Sequence, residues 1–204
     1  MPPRHALWWP LLLFVLVLAG CGKAPVLTPL GRDDVLLAFG DSLTHGTGAE
    51  PEASYPALLE ARIGRQVVNA GVPGETTAEG LARLPQALDE ASPRLLLLCL
   101  GGNDMLRRVD PAVTEANLSA MVELARGRGV QVVLIGVPEP ALLAGTADLY
   151  PRLARRLAVP YEGEAFNGVL KDPALKSDPI HPNARGYDRV AERLAAFLTE
   201  AGAL

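Results

Sequence analysis

Disulfide chemistry has almost nothing to work with in this chain. Its 204 residues hold two cysteines, Cys21 and Cys99, and neither stands at a spacing from another cysteine or a histidine that would hold a zinc ion. A disulfide-stapled scaffold and a structural metal site are both excluded as the basis of the fold. Aromatic side chains are scarce, at 5%, and both tryptophans, Trp8 and Trp9, fall in the apolar leader. The rest of the chain offers few platforms on which a polysaccharide would stack. Positive charge is not in excess either: 19 basic residues face 23 acidic ones, for a net −4. That balance argues against a nucleic-acid partner, which demands clustered cations. No internal repeat or low-complexity block is present. The one long apolar run, Ala6–Leu18, is too short to cross a bilayer.

That run sits behind Arg4 and ends in Leu18-Ala19-Gly20-Cys21. A positive start, a short apolar stretch and small residues read as a secretory signal over residues 1–20. The cysteine directly after them resembles the bacterial lipobox, which implies cleavage before Cys21 and acylation of its thiol; an ordinary signal peptide is the plainer alternative. The expected product is exported and lipid-anchored in the bacterial cell envelope, with the membrane as its partner through that anchor. Loss of Arg4 with the leader leaves a net charge of −5. Residues 21–32 lack any period and read as a tether, which leaves 33–204 as one domain of ordinary size. Cys99, inside the apolar run Leu95–Leu100, reads as a small buried hydrophobe rather than a nucleophile.

Apolar runs alternate with amphipathic stretches along that domain. Strands are expected at Val35–Phe39, Gln66–Asn69, Leu95–Leu100, Val130–Val137 and Val159–Tyr161. Helices are expected at Tyr55–Ile63, Thr76–Leu88, Thr114–Arg128, Leu149–Leu157 and Arg185–Leu198, the last with Tyr187, Val190, Leu194, Phe197 and Leu198 on one face. Strands apolar on both faces and separated by helices imply a parallel sheet covered on both sides. The fold class is α/β: a three-layer α/β/α, flavodoxin-like arrangement with a five-stranded parallel sheet in the order 2-1-3-4-5. Ligands of such sheets bind at the carboxyl ends of the strands where the order reverses, here between the first and third.

Four segments fall near that crevice or carry reactive groups: Gly40-Asp41-Ser42-Leu43, Asn69 to Thr76, Gly101-Gly102-Asn103-Asp104, and Asp178-Pro179-Ile180-His181-Pro182. Together they supply a hydroxyl nucleophile, oxyanion donors, and a histidine with its own carboxylate, the parts acyl transfer needs. Ser42, just past a strand, reads as nucleophile or as a helix N-cap. Past the leader only His45 and His181 offer a base. His181 has Asp178 three residues earlier to orient its ring, and His45 has no such partner. Asn103 reads as an amide donor or a turn asparagine. Asp41 and Asp104 read as carboxylates that fix loops, and Asn69 and Arg107 are further candidates to line the site.

These segments resemble those of the GDSL, or SGNH, hydrolases from about Val35 to the C-terminus, closest to the small bacterial thioesterase, arylesterase and lysophospholipase group. The resemblance implies the same fold, a catalytic triad of Ser42, Asp178 and His181, and an oxyanion hole made by Ser42, Gly74 and Asn103, with Gly71 a rival to Gly74. No cofactor or metal is implied. The expected function is a serine esterase that cleaves small carboxylic esters, or thioesters, of short to medium acyl chains through an acyl-enzyme. An acyl esterase acting on envelope carbohydrate, and a non-catalytic binding lipoprotein, are the alternatives.

Overall fold

The computed structural model describes residues 26–139 and 145–204. The expected signal peptide and Cys21 lie outside the described residues, as do residues 140–144. Five strands form one parallel sheet: β1 (Leu36–Gly40), β2 (Val67–Gly71), β3 (Leu95–Cys99), β4 (Gln131–Ile135) and β5 (Tyr161–Glu162). Their order is β2-β1-β3-β4-β5, as expected. Leu36 to Gly40 pair in register with Val67 to Gly71 on one side and with Leu95 to Cys99 on the other. Every residue of β1 and β3 is buried, which a strand achieves only with helices on both faces.

The helices are α1 (Ser42–His45), α2 (Tyr55–Ile63), α3 (Thr77–Ala91), α4 (Gly102–Leu106), α5 (Pro111–Gly127), α6 (Leu149–Leu157), α7 (Ala165–Lys171) and α8 (Ala184–Glu200). Helices α2, α7 and α8 pack on one another, and α3, α5 and α6 form a second group. The expected apolar face of α8 is buried through Tyr187, Val190, Leu194 and Leu198. Three short helices, α1, α4 and α7, were not marked by any apolar period. Two of them begin directly after β1 and β3, and so set side chains at the crevice.

One expectation requires correction. Residues 26–32 are not a free tether. Leu27 and Leu30 are buried in the core, and their N–H groups donate to the carbonyls of Ala201 and Ala203 beyond α8. The Gln131 side chain closes the same edge, accepting from the Thr28 N–H and donating to the Thr28 carbonyl. Burial of two leucines, about 1.5–3 kcal/mol each, overrides the lack of any local pattern.

Candidate active site

Ser42 is the first residue of α1. The chain can turn from β1 into that helix because Gly40 has no side chain: a Cβ there would collide with the Thr44 hydroxyl and the Cys99 carbonyl. Asp41 caps the helix, its Oδ1 accepting the Leu43 N–H at 3.0 Å. Ser42 is therefore not the cap, and its hydroxyl is left for other work.

That hydroxyl meets His181. Oγ of Ser42 lies 2.9 Å from Nε2 of the ring, and Nδ1 lies 2.7 Å from Oδ2 of Asp178. The other Asp178 oxygen accepts the backbone N–H groups of Ile180 and His181, both at 2.9 Å. Desolvation pushes the Asp178 carboxyl up, but the hydrogen bonds from the His181 ring and these two N–H groups outweigh it and hold the carboxyl below its usual range. The loop is closed behind the pair. Lys176 bridges Pro182, the Ser177 N–H donates to the His181 carbonyl, and Asn183 caps α8 while its amide holds the carbonyls of Ala174 and Lys176. The proline-bracketed segment is thus a rigid hairpin presenting one carboxylate and one imidazole.

His45, at the end of α1, is exposed, and its ring makes no hydrogen bond among the described residues. Its carbonyl accepts the Asn69 amide. Asn69 is a brace rather than a lining residue: its Oδ1 accepts the Gly71 N–H at 3.0 Å. This separates the two glycines. Gly71 has spent its donor, and a Cβ on it would collide with the His45 backbone. Gly74 takes a left-handed φ of 81°, and its N–H has no acceptor among the described residues, as is true of the Ser42 N–H.

Asn103 lies in α4, whose N-cap Gly101 takes φ 117° hard against the Tyr150 hydroxyl that holds the Leu100 carbonyl. Its Nδ2 donates to the Glu75 carbonyl at 3.0 Å and lies 3.4 Å from Oδ2 of Asp41. Asp104 is a loop-fixing carboxylate, as expected. It accepts the Thr77 N–H and hydroxyl and the Thr114 hydroxyl, tying α4 to α3 and α5. Arg107 donates to the Gly74 carbonyl at 2.8 Å, holding the turn from outside.

One pair escaped the sequence reading. Glu75, buried, is gripped by Arg83 through both oxygens, and Arg83 also donates to the Ala70 carbonyl. The next residue, Thr76, closes a capping box with Glu79 at the start of α3. The segment that carries Gly74 is therefore fastened at each end.

Ser42, Gly74, Asn103 and His181 share one crevice of about 890 Å³, with apolar walls from Leu43, Leu106, Val137, Leu170 and Ile180. Cys99 lies below, fully buried, its thiol pushed up by burial.

Comparison with known proteins agrees with this fold. The model of the GDSL-like lipase/acylhydrolase family matches residues 38–189. Esterase TesA of Pseudomonas aeruginosa is 34% identical over 192 residues, spanning 88% of this chain and 94% of its own. Thioesterase 1/protease 1/lysophospholipase L1 of Escherichia coli is 35% identical over 173 residues, spanning 81% and 83%. A crystal structure of TesA superposes with a TM-score of 0.75 at 31% identity, covering 82% of this chain and 99% of that one. With most of its length matched by the family model and by such relatives, the chain belongs to the GDSL-like lipase/acylhydrolase family, the SGNH hydrolases.

Proposed function

We propose that this esterase hydrolyses small carboxylic esters through an acyl-enzyme on Ser42. The unbroken line from the Ser42 hydroxyl through the His181 ring to the Asp178 carboxylate carries the reading. Neutral His181 accepts the hydroxyl proton at Nε2 as Oγ attacks the acyl carbon. Asp178 holds the tautomer with the proton on Nδ1 and stabilises the imidazolium that forms. The carbonyl oxygen, now an oxyanion, takes hydrogen bonds from the Ser42 and Gly74 N–H groups and from the Asn103 amide. Imidazolium then returns the proton to the leaving alcohol, and water repeats the sequence to release the acid.

The apolar walls suit an acyl chain of short to medium length, and a crevice of this volume suits a small ligand. A thiol leaving group fits the same chemistry. We further propose that Cys21 bears the lipid that anchors the enzyme, on the strength of the Leu-Ala-Gly-Cys order. Hydrolysis of 4-nitrophenyl esters from two to twelve carbons tests the main reading. Turnover is expected, with the best kcat/KM below the longest chain; no turnover at any length would overturn it.

A further inference from the structure

Asp41 stands between the two halves of the site and has no part in the steps above. It is 2% exposed. Oδ1 caps the helix that carries Ser42. Oδ2 faces the amide of Asn103 at 3.4 Å, and a Cβ placed on Gly102 would press on that same oxygen at 3.3 Å. One buried carboxyl thus joins the helix that presents the nucleophile to the helix that presents the amide. The two amide hydrogens of Asn103 have distinct fates. One is held by the Glu75 carbonyl at 3.0 Å. The other faces Asp41 across a contact long enough to be shared with an arriving oxyanion.

We propose that Asp41 is a positioning residue of the oxyanion hole: its ionised carboxylate aims the second amide hydrogen of Asn103 at the point where the Ser42 N–H also converges. This rests on the reading of Asn103 as an oxyanion donor. A carboxylate is the stronger acceptor. Protonated, the group presents a donor or a weaker acceptor to an amide that has only donors on that side, and the aim is lost.

The surroundings make both forms accessible. Facing Asp41 are Tyr55 on α2, Cys99 on β3, Tyr150 on α6 and Tyr187 on α8. Burial pushes all four upward, so they stay neutral. The Glu75 carboxylate adds repulsion, but its charge is taken up by Arg83. His181 is the cation that acts on Asp41. Desolvation dominates over the Leu43 N–H and the pull of His181, and the Asp41 carboxyl is pushed up to about 7. Its proton is therefore exchanged near neutral pH. Asp41 must lose that proton before it can aim the amide.

Two readouts test this. On 4-nitrophenyl acetate, kcat/KM of the wild type is expected to climb through an ionisation near neutral pH. Asp41→Asn retains an oxygen for the Leu43 N–H; it is expected to remove that ionisation and to lower kcat about tenfold to a hundredfold with KM little changed. On an Asn103→Ala background the same substitution is expected to cost less than about twofold, since its target is gone. An acid limb left unchanged by Asp41→Asn, or an undiminished loss on the Asn103→Ala background, would overturn the proposal.

The second readout needs no turnover. Asp41 is titrated by ¹³C NMR of its carboxyl in the Ser42→Ala protein, with and without Asn103→Ala. Loss of the amide donor is expected to move the titration to higher pH. An unchanged titration would overturn the role of Asp41 even if no ester were hydrolysed, whereas failure of hydrolysis alone would count only against the esterase reading.

Discussion

Arg83 grips both oxygens of Glu75 at 2.7 Å while its guanidinium lies 4.1 Å over the ring of Phe39. The pair is fork on fork, the geometry that arginine supplies and lysine does not. Its position matters more than its strength. Glu75 follows Gly74 and lends its carbonyl to Asn103, so one ion pair steadies two of the three proposed oxyanion donors. Arg83→Met leaves the buried Glu75 without its cation. The expected cost is about 3 kcal/mol in urea unfolding, with kcat lowered about tenfold and KM affected less. Unchanged kcat in a folded Arg83→Met protein would show that the segment holds itself.

The proposed nucleophile and base would form a unit, since among the described residues the Ser42 hydroxyl is hydrogen-bonded to His181 alone. Ser42→Ala and His181→Ala are each expected to abolish nearly all turnover, and the double variant to be hardly worse than either. His45→Ala is expected to keep most activity, because its exposed ring makes no contact with the line of transfer. Steady-state kinetics of the four variants decide the matter. An active His181→Ala beside an inactive His45→Ala would reverse the assignment of the base.

Asn103→Ala removes one donor from the proposed oxyanion hole. kcat is expected to fall about 10²–10³-fold with KM nearly unchanged, the signature of a contact made in the transition state alone. A change confined to KM would make Asn103 a residue for binding substrate. Asn103 also bridges to Glu75, so circular dichroism and urea unfolding accompany the kinetics.

Asp178 is held below the usual carboxylate range by the bonds it receives. The sign follows: its contribution is fully present above the ordinary aspartate range, near 3.9, and is lost only as pH falls through the depressed value. An acid limb of kcat/KM at milder pH therefore does not report Asp178. Asp178→Asn removes the carboxylate from Nδ1 at every pH and is expected to lower the plateau by about 10²–10⁴-fold. A plateau within twofold of the wild type would leave Asp178 a mere loop brace.

Cys21→Ala tests the anchor. Wild-type protein made in a bacterial host that processes lipoproteins is expected to fractionate with membranes and to carry the mass of its acyl chains. Cys21→Ala is expected to lose both, since burial of those chains supplies roughly 0.8 kcal/mol per CH₂. Identical mass and fractionation in the two proteins would remove the lipid from the account.

What the sequence made legible follows from how each feature is encoded. Strands β1 and β3 are buried on both faces, so their apolar runs are continuous and visible, and their order puts Ser42 and Asn103 side by side from connectivity alone. Asp178 and His181 are three residues apart, each followed by a proline, so their contact is local. What favours Gly74 over its rival Gly71, an N–H not already taken, was not visible: Asn69, which takes the Gly71 N–H, shows its effect only once β2 has formed. Arg83 was invisible for a similar reason: it reaches back from α3 to a residue eight positions earlier, a contact that no helical period marks. Helix α7, seven residues with an asparagine and a glycine inside, is too short to show a face. Leu27 and Leu30 find their neighbours some 170 residues away.

The docking of those two leucines also sets the length of any leash. From Cys21 to Leu27 is six residues, which fully extended span at most about 20 Å. A lipid on Cys21 would therefore hold the body of the enzyme within a few water layers of the headgroups, by an edge formed where the first and last turns of the chain are stitched together. An enzyme so anchored would not sweep a wide volume. It would work as a fixture of its membrane, and its reach to an ester would be set by the ester's own travel along or toward that surface.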